Sequence, residues 1–156
     1  MAACGVADPK AALRRAPNLL HFDYAAAGFL QRRLLLQRCF QLTAAQLYEQ
    51  HPSCLSQISV ERLVQRLQFA EHRGQEGSMQ CVVKAKQETF LAAVGASQAE
   101  WEAWAAASPS EACPLYGWAQ QAAADEVARL AAALPPELAQ GEKRPNRFKR
   151  RSQVAD

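Results

Sequence analysis

The stretch SVERLVQRLQFAEHRG, residues 59–74, decides the fold class. Val60, Leu63, Val64, Leu67 and Ala70 recur at three- and four-residue spacing, so one face packs and the other stays wet. Ser59 offers the N-cap oxygen and Gly74 stands just past the end, which predicts a helix over 60–73. Phe69 falls out of phase with the stripe, on the expected wet face.

The same punctuation extends in both directions. Asp8-Pro9 reads as an N-cap followed by Pro at the first helical position, opening a short helix that stops before Pro17. Asp23 can cap a second helix running to about Gln50 and ended by His51-Pro52. Gly77-Ser78 opens a fourth, closed by Gly95, with Lys86 in the middle of its apolar face between Val82, Val83 and Phe90. SQAE (97–100) and SPSE (108–111) both match the capping box. A last long helix spans about 115–134, burying Tyr116, Ala123, Val127, Leu130 and Leu134 and leaving Trp118 opposite. Composition agrees with this pattern: one Ile, two Thr and eight Val are too few β-branched residues for a sheet. The expectation is an all-α protein, a single compact bundle of about five to six helices over residues 1–141. Residues 142–156 form a disordered or extended basic C-terminal tail.

Charge divides the chain unevenly. The formal net charge is +3, but residues 1–142 carry 12 basic and 14 acidic side chains, while 143–156 carry six basic and one acidic. Polyanion affinity is therefore expected in the tail, at Lys143, Arg144, Arg147, Lys149, Arg150 and Arg151, with Phe148 able to stack on a base. The same run has the form of a nuclear address or of a solubilising end. Five cysteines, an odd number without a C-x-x-C pair, suit a reducing compartment. No apolar stretch is long enough to span a membrane. An intracellular site is expected, with the nucleus slightly favoured. A mitochondrial presequence is the competing reading, disfavoured by Asp8 and Asp23 among the N-terminal arginines.

The chain carries no Gly-rich phosphate loop and no G-x-S-x-G turn. His51, Cys54, Cys39, His72 and Cys81 have irregular spacings for zinc, so no metal, cofactor or catalytic residue is assigned. PSEACPLYGWAQQA (109–122) is similar to the LYG helix of acyl-CoA-binding proteins, and WEAW (101–104) to their tryptophan segment. The two segments stand here in reversed order, and the family's Lys after Tyr is missing, so the likeness is assigned to chance.

The out-of-place residues concentrate on two helices. In the second helix Phe29, Leu36, Phe40 and Leu47 form one stripe, while Leu30, Leu34, Leu35 and Leu42 point elsewhere. Such a helix is buried, yet Arg32, Arg33 and Arg38 interrupt it, and each needs solvent, a carboxylate or a polyanion. Trp101 and Trp104 share one face of a short helix and should anchor it to the bundle. The favoured function is a non-catalytic helical interaction subunit or adaptor of a larger assembly. It would dock on a protein partner through Phe69, Trp118, Arg32, Arg33 and Arg38. The alternative is a nucleic-acid-binding accessory protein, ribonucleoprotein or DNA-associated, gripping phosphate through residues 143–151.

Overall fold

The computed structural model describes residues 5–133. The basic tail, with Lys143, Arg144, Arg147, Phe148, Lys149, Arg150 and Arg151, lies outside them, as does Leu134. Among the described residues the protein is all α, with seven α-helices, three 3-10 turns, one π turn and no strand. The helices are α1 (Pro9–Arg15), α2 (Ala27–Phe40), α3 (Ala44–Gln50), α4 (Val60–His72), α5 (Gln87–Ala93), α6 (Gln98–Ala107) and α7 (Pro114–Ala133).

Several of the caps form as the sequence indicates. Asp8 accepts from the Ala11 N–H at 2.9 Å, and Ser59 from Arg62 at 3.2 Å. At α6 the capping box closes in both directions between Ser97 and Glu100, whose carboxyl is thereby held below the usual range. Gly74 (φ 66°) and Gly95 (φ 64°) end α4 and α5 in the left-handed region, which a side chain would resist.

Three expected helices are shorter or differently phased. Residues 24–50 do not form one helix: Gln41 turns to φ 52°, and Thr43 then caps α3 through a reciprocal box with Gln46. Asp23 does not cap α2, because its carboxylate accepts from Ala25 and the helix starts only at Ala27. The fourth helix breaks at Ala85 and Lys86, both extended (ψ 145° and 160°), between a π turn over Gln80–Lys84 and α5. Lys86 is consequently exposed and lies on no apolar helix face. SPSE forms no second capping box: Pro109 is extended, Ser110 is buried, and a 3-10 turn over Ser110–Ala112 leads into Pro114 at the start of α7.

Helix α7 lies antiparallel along α2, with Trp118 beside Arg38 and Glu126 beside Arg33. Its buried positions are Ala119 and Ala123, small enough to let the two helices approach closely. Leu130 is half-buried and Val127 is 38% exposed, so the buried face is rotated from the expected one and Trp118 is half-buried. Helix α4 runs through the centre, contacting α2, α6, α7 and the π turn. Its stripe meets Leu35, Leu36, Leu47, Leu55 and Val82 in one continuous core.

Phe69 corrects the wet-face expectation. It is 1% exposed, with Trp101 edge-on at 5.0 Å, Trp104 at 5.1 Å and Phe90 at 6.4 Å between ring centroids. The stripe on α4 accounts for one wall of the core only. Helices α5 and α6 fold back over the opposite side, and the two tryptophans that anchor α6 cover Phe69 as they do so.

Candidate anion-binding cleft

The three α2 arginines find their partners within the chain. Arg33 is buried and its Nη2 donates to Glu126 Oε1 at 2.7 Å; Arg129 reaches the same carboxylate from the next turn of α7. These two arginines, Arg129 foremost, hold the Glu126 carboxyl down to about 2. Arg32 donates to the Ile58 carbonyl at 2.7 Å and stands 5.8 Å over the Phe22 ring. Arg38 lies 4.3 Å over the ring of Trp118. Arg32, Arg33 and Arg38 are therefore not brought together as one basic surface.

A different basic surface is. The end of the π turn, the break at 85–86 and the wet edge of α4 enclose a cleft of about 560 Å³. Its charged lining is Arg62, Arg66, Lys84 and Lys86, joined by Gln57 and Gln87, and no Asp or Glu among the described residues lines it. None of these four cations has a carboxylate within ion-pair distance among the described residues. The adjacent acid Glu61 acts on Arg32 instead.

Local sequence explains how the cleft forms. Arg62 and Arg66 are four apart on α4, so their side chains emerge on neighbouring turns. The extended residues Ala85 and Lys86 interrupt the helical bonding and leave carbonyls free to accept from a side chain. Arg66 uses them: Nη1 donates to Val82 O at 2.8 Å and to Ala85 O at 3.0 Å. Its guanidinium also lies 4.8 Å over the Phe90 ring, whose other neighbours are Phe69 and Trp101. The group is 1% exposed, and burial pulls its pKa down, with the nearby Arg62 charge adding to that effect. A buried guanidinium compensated only by neutral oxygens is a strong local source of positive potential.

Other candidate chemistry is weaker. Burial pushes the Cys54 and Cys39 thiols up, away from the thiolate that a nucleophile or metal ligand needs. No group of three or more His, Cys, Asp or Glu converges to hold a metal among the described residues. No described helix is long and apolar enough to cross a membrane. A second cleft, of about 560 Å³, opens at the C-terminal ends of α2 and α4, floored by Phe40, Leu67 and Val82 and edged by Glu71 and Glu76.

Sequence reasoning missed Arg62, Arg66 and Lys84, and set Lys86 on an apolar helix face instead of in a cleft. A signal was present: two arginines four apart on a helix repel by a few tenths of a kcal/mol, and KAK follows at the break. Nothing local shows that the two segments meet. No protein-family model, curated protein or solved structure matches the chain.

Proposed function

We propose that the protein is a non-catalytic helical accessory subunit of a nucleic-acid-containing assembly, gripping phosphate through the cleft between α4 and the 84–87 segment. The observation that carries this reading is the set of four cations, one of them buried, around a cleft that no carboxylate among the described residues lines. Phosphate oxygens would supply the negative charge that the described chain does not, and counterion release would add affinity at low salt. The run Lys143–Arg151, rich in the same residue types, is a second contact of the same kind, and its Phe148 adds a stacking surface.

Pure protein docking has less support. Phe69 is buried, Trp118 is half-buried beside Arg38, and Leu20, 65% exposed, is a lone apolar side chain of an ordinary sort. A protein partner within the same assembly is part of the proposal, but its docking face is not assigned to those aromatics.

The test is the binding of a fluorescein-labelled single-stranded oligonucleotide to the full chain, followed by anisotropy across a salt series. The doubly reversed variant Lys84→Glu/Lys86→Glu should bind at least about tenfold more weakly, with a salt slope flattened by about 1–2 units. Equal affinity and equal slope for the two proteins would exclude the cleft as the phosphate contact.

A further inference from the structure

We infer that Arg62 and Arg66 form the seat for one phosphate group, and that the side chain of Gln87 latches this seat in the unliganded protein. The inference rests on the cleft being a phosphate site, and names its specific contact. Arg66 Nη2 and Arg62 Nη2 both donate to the same atom, Gln87 Oε1, each at 3.2 Å. Two guanidinium groups converging on one oxygen is the geometry with which arginines hold a non-bridging phosphate oxygen. Here the carboxamide oxygen stands in for it.

The fit of the stand-in is poor in a way that points to the ligand. Charge-assisted N–H···O bonds run at about 2.7–2.9 Å. Arg33 meets that length with Glu126, at 2.7 Å, whereas both bonds to Gln87 are at 3.2 Å. Two buried donors at the seat also find no partner among the described residues, Arg66 Nε and Gln87 Nε2. An anionic oxygen in place of the carboxamide would take shorter bonds from both arginines, and Gln87, released to solvent, would satisfy its own amide. The seat is pre-organised, because Val82 O and Ala85 O hold the other end of the Arg66 guanidinium and the Phe90 ring backs it. Lys84 and Lys86, exposed at the rim, would then contact neighbouring phosphates or steer the chain in.

The ligand chemistry is a phosphate oxygen, which either a backbone phosphodiester or a terminal phosphomonoester supplies. Full-length Gln87→Glu and Gln87→Ala variants, measured against wild type and Lys84→Glu/Lys86→Glu, test the latch. The probes are a labelled oligothymidylate with and without a 5′-phosphate. Gln87→Glu gives both arginines an internal carboxylate, so it should raise Tm and weaken binding of the oligonucleotide by about tenfold or more. Gln87→Ala removes the stand-in and should tighten binding by about threefold. A gain specific to the 5′-phosphorylated probe assigns the seat to a terminal phosphate, and equal binding of the two probes assigns it to the backbone. Wild-type affinity in Gln87→Glu, with binding lost in Lys84→Glu/Lys86→Glu, overturns the latch and leaves the cleft standing. No oligonucleotide binding by wild type, or wild-type affinity and salt slope in Lys84→Glu/Lys86→Glu, overturns the cleft reading itself.

Discussion

The α2–α7 seam and the α4–α5 cleft each bury an arginine, and they settle its charge in opposite ways. In the seam, Glu126 receives Arg33 and Arg129 at 2.7 Å, so the buried Arg33 meets a carboxylate within the fold. In the cleft, Arg66 and Arg62 share one neutral oxygen at 3.2 Å, and the remaining acceptors are carbonyls. Burying a charge is costly unless it is paired. The fold thus pairs one buried arginine with a carboxylate and leaves the other with neutral acceptors, the difference on which the proposed phosphate site rests. Arginines in a sequence do not announce which kind they are.

The largest expected effect comes from removing the floor beneath the cleft. Phe69→Ala deletes the ring that backs Phe90 and carries both tryptophans of α6, and should cost about 3–5 kcal/mol in urea unfolding. A loss below about 1 kcal/mol would put Phe69 back on an open face and restore it as a docking anchor.

Next comes the conversion of the seam into a likeness of the cleft. Glu126→Gln leaves Arg33 without its closest carboxylate and should cost about 2–3 kcal/mol, with little change in oligonucleotide affinity. A stability unchanged by that substitution would erase the contrast between the two regions.

Acid probes the same carboxylate without mutation. Its folded pKa, about 2, lies below the ordinary value of 4.5, so its stabilising contribution is complete above that value. The contribution is lost as pH falls from there toward about 2, and the wild type should lose stability over that interval more steeply than Glu126→Gln. Parallel pH profiles for the two proteins would show that Glu126 contributes no pH-dependent stability.

Smallest in stability is Arg62→Gln. Arg62 is exposed and its side chain's hydrogen bond among the described residues is to Gln87, so unfolding should shift by no more than about 0.5 kcal/mol. Oligonucleotide affinity should nevertheless fall by about tenfold, and a variant that kept full affinity would remove Arg62 from the seat.

The all-α class and most helix ends were legible because each is set by a few adjacent residues: Asp8-Pro9, Ser59 with Gly74, Ser97 with Glu100. The break at Gln41 was legible too, since TAAQ is a capping-box pattern, but the continuous run of leucines masked it. Phe69 was not, because the helical stripe of α4 describes one wall and says nothing of α6 closing over the other. The cleft was hidden for the same reason. Its arginines lie on α4 and its lysines some twenty residues later, and only the break at Ala85–Lys86 turns the two segments together. The Arg32–Arg33–Arg38 set drew attention by standing among leucines, yet each has a partner inside the chain: the buried Arg33 meets Glu126, the half-buried Arg32 the Ile58 carbonyl, and the exposed Arg38 the Trp118 ring.

The central claim is that phosphate binds in this cleft, and the most direct test is amide and guanidinium NMR of the isotope-labelled full chain titrated with a single-stranded oligonucleotide. Shifts should centre on Arg62, Arg66 and the segment Lys84–Gln87, saturating together and reversed by salt. Shifts confined to residues 143–151, with those six unmoved at saturation, would contradict it.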